Sequence, residues 1–510
     1  MESKFQRLNR RQLLKAGLIS ASTLGMLEGL TWKPMRVAQA APLANLPEIQ
    51  FDLGAFIAPA KTLNDGGGNV LVQFGPIFTL FLTMQLTRFP SLTDSQTWHD
   101  ALERIESVYP FSPSGVFTIV SYGLPYFNRL PSSLVSSNMP RLLSNNSRFA
   151  LEEAVPSPTD VSSSNPGISK QTFNVPVKIE NNDVLVTLRS DSLTNLNDVV
   201  AWLQGSNSLN GFSLPSPAFN GLFRFTSTRV QFTQVGMPRK VADANHLSFA
   251  SRVNPDSPMW MGFLDQQVNG SGPASICTFQ GNSSAVFTNT TSGNYFFNGA
   301  IQHLSHVIED LPQFYSDAEP FTERVQYMFR SDPIPSLGNA DQFNNGGGPA
   351  VLANDASVFL HYKSQGTTEA IQTAKDPNTA NDPQPDGSGR IPRMGHLSAL
   401  QISSRAKDGT PVHIRMDGPG FDNMDVPDGS NQAKLQFTVF VPTADFFTTM
   451  RKNQAALNFQ IAEAGFGGSP NGTVDSEDNG LERFLIATRR QNFLVPPRSR
   501  RTFPLREFLP

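Results

Sequence analysis

Strand-like and helix-like segments alternate along this chain, and that alternation limits its fold more than any other feature. In "SLTDSQTWHDALERIESVY", Trp98, Leu102 and Ile105 recur at three-to-four spacing behind Thr93 and Asp94, either of which can cap a helix. "GVFTIVSYG" (Gly115–Gly123) is β-branched and aromatic and enters a glycine turn. "DVLVTLRSD" (Asp183–Asp191) reads as a second strand, and "LTNLNDVVAWLQG" after it as a helix ending at Gly205. "GLFRFTSTRVQFTQVG" (Gly221–Gly236) alternates as a long strand does. Upstream, "NVLVQFGPIFTLFL" (Asn69–Leu82) begins as an apolar strand and is expected to run on towards a helix. The second half holds the same ingredients. "TERVQYMF" from Thr322 reads as helix, "LQFTVFVPTADFFTTMRKNQAALNFQ" from Leu435 as strand then helix, and "GLERFLIATRRQNFLVPP" closes the chain. Two α+β halves of similar content point to an internal duplication. The polar stretch 331–390 is expected to form extended loops, with one short strand at "SVFLHY" (Ser357–Tyr362).

A chain of 510 residues exceeds one small core and implies two or more folded units. A net charge of -3 gives no pull towards nucleic acid or an anionic membrane. Charged residues are only 16% and apolar ones 39%, which suits a loop-rich globular protein with a real core. With 39 Phe against 7 Tyr and 4 Trp, that core is expected to be built from aromatic wedges. Cys277 is the only cysteine, so an intramolecular disulfide and a four-cysteine zinc or iron–sulfur site are excluded; a lone Cys of this kind is expected to be a small buried residue.

Residues 1–40 read as an address. Arg10-Arg11 is followed by Leu13-Leu14-Lys15, then by a weakly apolar stretch interrupted by Glu28, then by Ala38-Gln39-Ala40 as a small-residue cleavage site. The apolar run is too short and too polar to span a bilayer. The arginine pair with its downstream leucines resembles a bacterial twin-arginine export signal, which implies the twin-arginine export machinery as a partner, a periplasmic or secreted location and no membrane span.

Two stretches carry candidate chemistry. Asp408-Gly409 is a hairpin turn signal, around which Leu397–Ser404 and Pro411–Met416 are expected to pair. In the second arm Val412, Ile414 and Met416 share one face, and His413 and Arg415 the other. By these residues alone the usual reading of the hairpin is a solvated surface element. In "SPMWMGFLDQQVNG", Asp265 follows an apolar, aromatic run, where desolvation would tune a carboxylate for proton transfer. His303 and His306 have i,i+3 spacing, which on a helix would set two imidazoles side by side as a metal pair.

The order of these pieces resembles the dye-decolorizing peroxidase family of haem proteins. "GFLDQ" (Gly262–Gln266) resembles that family's Gly-Phe-x-Asp-Gly motif, "VSYGLPYFNRLP" its early glycine-turn strand, and "GNYFFNGAIQHLSHVIEDLPQFY" the strand and helix after the Asp motif. The segment from Gly395 to Phe421 resembles its block from axial His to distal Arg. The resemblance implies an α+β fold of two ferredoxin-like halves with antiparallel sheets and flanking helices, a dimeric α/β barrel, with halves at 41–236 and 237–510. It implies haem b held by His396, with His413 as the rival ligand, and with Gly262, Phe263 and Asp417 beside it. It implies that Asp265 moves the proton of hydrogen peroxide and that Arg415 stabilises the departing oxygen, with an organic electron donor as second substrate. A homo-oligomer is compatible with it. Gln266 departs from the motif's final glycine, so the alternative is a haem-free, non-catalytic relative acting as a binding or structural protein.

Overall fold

The computed structural model describes residues 21–31, 46–56, 58–64, 69–255, 257–262, 272–281, 286–317, 327, 396, 412–454 and 481–510. The polar stretch 331–390 lies outside them, as does the first arm of the expected hairpin. Helix α1 (Ala21–Leu30) is followed by a backbone hairpin of β1 (Ala58–Asn64) and β2 (Asn69–Phe74). The first half then runs β3 (Phe78–Leu86), α2 (Leu92–Val108), β4 (Phe117–Gly123), β5 (Val184–Ser190), α3 (Leu193–Leu203) and β6 (Phe223–Phe232), with α4 (Met237–Ala244) beyond it. The second half runs β7 (Ala300–Glu309), α5 (Leu311–Asp317), β8 (Ile414–Arg415), β9 (Gly418–Asp422), β10 (Gln432–Val441), α6 (Ala444–Gln454) and β11 (Leu485–Val495).

The duplication is visible in the topology. The first half orders its strands β4–β5–β3–β6, and the second β8–β10–β7–β11 with β9 also on β10. Each order is second, third, first, fourth, and each half's pairs are antiparallel, which is the ferredoxin-like arrangement of β-α-β-β-α-β. The chain is therefore α+β, with both halves in one ten-stranded sheet, the tenth strand being the two-residue Lys178–Ile179, which runs parallel to β11. Two seams join them. At one, β11 pairs with β4 through Phe493–Gly123 and Leu494–Tyr122. At the other, β6 lies against β9 without a ladder, and the Gln231 side-chain amide donates to the Met416 carbonyl. Gly418 and Gly420 allow this approach, since a Cβ on them would stand 2.5 Å from Thr233 Oγ1 and 3.0 Å from the Val230 carbonyl oxygen. The sheet thus curls into a barrel, with helices outside and a lumen within.

The lumen is graded. One end is aromatic: Phe51 stacks on Phe440 at 4.6 Å, and Phe111 meets Phe117 edge-on at 4.7 Å, with Cys277 buried in the same cluster. Phe81, Leu185, Leu304 and Phe493 fill the middle. The other end is ionic. Glu180 accepts from Arg229 of β6 and, at 3.2 Å, from Arg489 of β11; Arg489 also grips Asp425 at 2.5 and 2.8 Å. His306 bonds Thr488 at 2.8 Å and Asp422 at 3.3 Å.

Two local expectations differ from the structure. The run from Asn69 gives two strands, β2 and β3, because Gly75-Pro76 breaks it and β3 is covered on both faces, which favours a continuous apolar strand over a helix. Helix α2 is capped by Ser91 rather than Thr93 or Asp94: Ser91 Oγ accepts from the Asp94 amide at 3.1 Å and Asp94 accepts from the Ser91 amide at 2.7 Å, a reciprocal capping box. Among the described residues no helix is long and apolar enough to cross a membrane.

Glu180 is the joint that can be tested. Burial favours its neutral form, but the charges and hydrogen bonds of Arg229 and Arg489 outweigh that and hold its pKa below the ordinary glutamate value. Glu180→Ala leaves the buried Arg229 guanidinium without its carboxylate and removes one of the two carboxylates that hold the half-buried Arg489, and should cost about 3–5 kcal/mol in denaturant unfolding at pH 7. Because the folded pKa is depressed, wild type should lose this advantage as pH falls below about 4.5 and through the folded value, and the gap between the two proteins should close.

Candidate functional site

β10 positions Arg415 and Asp417. Arg415 pairs with Val439 and Gly418 with Gln436, and the same register through the residues between sets Asp417 opposite Phe437. Directly paired residues share one side of a sheet. Val439 is paired in turn with His303 of β7, which lies flat on Phe447 of α6 with 3.3 Å between ring centroids. The Arg415–Val439–His303 row therefore faces the helices, as does the Asp417–Phe437–Ser305 row beside it. Ile414 and Met416 point the other way, into the aromatic end of the lumen. Arg415 and Asp417 are half-buried.

Beneath this face runs a fully buried polar relay. Asn492 Nδ2 donates to the Glu152 carbonyl at 2.9 Å, which turns Asn492 Oδ1 towards His303 Nδ1 at 2.6 Å. That makes Nδ1 the protonated nitrogen and Nε2 an acceptor for the Ser305 hydroxyl at 2.6 Å, while Ser305 Oγ accepts from Arg490 at 2.9 Å. Arg490 is held by Asp160 through two bonds of 2.7 and 2.8 Å. Burial first, then the charges of Arg490 and Arg451, hold the His303 pKa well below its ordinary value, so the ring is neutral. The Ser–His–Asn order has the form of a nucleophilic triad, but Ser305, His303 and Asn492 are all buried and the serine has no open side, so the relay serves as a rigid floor.

The expected metal pair is not formed. His303 and His306 stand on a strand, where i,i+3 residues point to opposite faces, and both ring nitrogens of each are already hydrogen-bonded. No group of three or more metal-ligating side chains occurs among the described residues.

Glu309 ends β7 on the same side as His303. It is buried, and its Oε2 has no hydrogen-bond partner among the described residues. Burial, assisted by the charge of Asp417, pushes its pKa up to about 8, so the carboxyl is protonated at neutral pH. Periodicity could have signalled it: read as a strand, the segment puts His303, Ser305 and Glu309 on one face. Read as a helix, it does not.

Phe263 and Asp265 lie outside the described residues, but both ends of their segment are described. Gly262 is buried with φ +86°, a left-handed conformation that favours glycine. Just before it, the Trp260 carbonyl accepts from Tyr315 of α5 at 2.9 Å, and the Trp260 ring donates to the Gly420 carbonyl of β9 at 3.1 Å. At the other end the Gly272 amide donates to the His413 carbonyl at 2.8 Å. The described residues on either side of it thus contact β9 at Trp260 and the residue before β8 at Gly272. His413 itself is buried, and His396 is helical and half-buried. Of the remaining described histidines, His99 pairs with Glu103 on an exposed helix face and His246 is exposed. The hairpin partner expected for Arg415 lies outside the described residues; the described partner of β8 is β10.

A family model described as a family of unknown function (DUF7405) matches residues 149–345. No curated protein matches the chain. Among solved structures, a putative DyP-type peroxidase protein from Shewanella oneidensis is similar at 13% identity, over 86% of this chain and 97% of that one, with a TM-score of 0.44. A Rhodococcus jostii DypB variant in complex with heme is 12% identical over 83% and 94%, TM-score 0.42. The dye-decolorizing protein from V. cholerae is 11% identical over the same shares, TM-score 0.39. At these identities and TM-scores the likeness assigns no residue of this chain a role.

Glu309 gives the direct test of the site's electrostatics. A carboxyl whose folded pKa is raised costs stability progressively as pH rises from its unfolded value of about 4.5 to about 8. Glu309→Gln should therefore unfold at a higher temperature than wild type at pH 8, with the difference vanishing near pH 5. It should also remove one protonated-carboxyl band from the infrared spectrum at pH 7.

Proposed function

We propose that this protein is an exported haem peroxidase that uses hydrogen peroxide to oxidise bulky or phenolic donors. One observation carries the reading. Arg415 and Asp417 project from the helix-side face of the second half, and the described residues that flank Asp265 in sequence bond to the same region, Trp260 to the Gly420 carbonyl of β9 and Gly272 to the His413 carbonyl before β8. A distal acid and a distal arginine need that neighbourhood. The order of motifs from Gly262 to Phe421 supports the same assignment.

The family resemblance gives His396 and His413 as the axial candidates; His303 and His306 have both ring nitrogens hydrogen-bonded within the barrel and are not offered for that role. His396 is favoured by the motif order, Gly395-His396 followed downstream by Ile414-Arg415-Met416-Asp417. Haem b, held by the His396 imidazole, would supply the two oxidising equivalents that peroxide delivers. Asp265 takes a proton from hydrogen peroxide and returns it to the leaving oxygen, which departs as water. Arg415 offers its N–H groups to that oxygen as negative charge grows on it. The neutral His303 beneath adds no charge to compete with Arg415.

Protein expressed with added haem should show a Soret band, and His396→Ala should lose or shift it while His413→Ala keeps it. The reverse result would make His413 the ligand. Asp265→Asn should keep the band and lower kcat/KM for peroxide by about 10²–10⁴-fold. Folded wild-type protein with no Soret band would overturn the peroxidase assignment in favour of a haem-free relative, which Gln266 after the motif Asp already brings to mind.

A further inference from the structure

The apolar stretch of the N-terminal segment contains one acidic residue, Glu28, and an export signal gains nothing from a carboxylate there. The fold accounts for it. Helix α3 begins at Leu193 with Ser192 as its cap. The first amides of a helix lack intrahelical acceptors and carry partial positive charge. Glu28 of α1 supplies what they lack: its carboxylate accepts from the Thr194 amide at 2.8 Å, from the Thr194 hydroxyl at 2.8 Å and from the Ser192 hydroxyl at 3.1 Å. Two further contacts come from α4. Lys240 Nζ donates to the Leu30 carbonyl at 3.2 Å, one of the unpaired carbonyls at the end of α1, and the Asn245 amide reaches the Met26 sulfur at 3.3 Å. Leu27, between them, is 1% exposed and joins the main core.

We propose that the surface between the start of α3 and helix α4 is a docking site for the chain's own leader, with Glu28 as the latch. The site is assembled from residues far apart in sequence, so it exists only once the first half has folded. The leader is then held against the folded body until it is peeled away, and its removal at Ala38-Gln39-Ala40 uncovers the start of α3. This inference rests on the export part of the proposed function, the reading of residues 1–40 as a removable leader, and not on haem.

Hydrogen–deuterium exchange of the full-length chain with its leader intact tests it. Peptides covering 21–31 should be protected in wild type, and Glu28→Gln should speed their exchange by about tenfold or more, as expected for losing a charge-assisted pair of hydrogen bonds. Peptides from β7 serve as the folding control and should not change. Glu103→Gln, at an exposed carboxylate on α2, should leave 21–31 unaffected. In the form cut after Ala40, the amides of 192–196 should exchange faster. The proposal fails if 21–31 exchanges at unstructured-peptide rates in wild type, if Glu28→Gln leaves it unchanged, or if cutting leaves 192–196 unchanged.

Discussion

Glu180 ties the two halves together where they could most easily part. It lies between Arg229, on the last strand of the first half, and Arg489, on the last strand of the second. Arg489 continues to Asp425, just beyond β9, so one string of charges links the laddered seam to the one that has no ladder. Burying so many charges is tolerable only because each is paired, and removing one member would leave others stranded. The aromatic end of the lumen needs no such matching, since Phe51, Phe111, Phe117 and Phe440 fill space without polar atoms to satisfy.

The barrel decides which side chains can do chemistry. Residues of β7 to β10 alternate between a closed lumen and a face covered by helices. Ile414 and Met416 are spent on packing, while Arg415 and Asp417 stand half-buried on the other side. The relay from Arg490 through Ser305 and His303 to Asn492 fixes the floor under that face.

Some of the site was legible in the chain. The alternation of Ile414, Arg415 and Met416 was read correctly, because a two-residue period needs no tertiary knowledge. His303 and His306 were misread, because "HLSH" satisfies helical spacing and only the ladder with Asn492 and Val439 shows a strand. Glu309 was missed for the same reason: its partners in space are set by the strand, and an acid before "DLPQF" looks like a helix cap. The Ser91 cap was displaced by neighbours that are equally good cap residues, and only Asp94 reaching back to Ser91 separates them.

The sequence by itself determined the α+β class, the exclusion of an intramolecular disulfide, the aromatic core and the positions of most strands and outer helices, since these follow from local period, composition and turn residues. It also carried the duplication, as a likeness of content. Only the tertiary structure decided that each half orders its strands second, third, first, fourth, and that the two sheets close on each other. Strand order depends on which distant edges meet, and no local period encodes that. For the same reason the role of Glu28 could not be read from its neighbours: a carboxylate in an apolar stretch has meaning only when the start of α3 is brought against it.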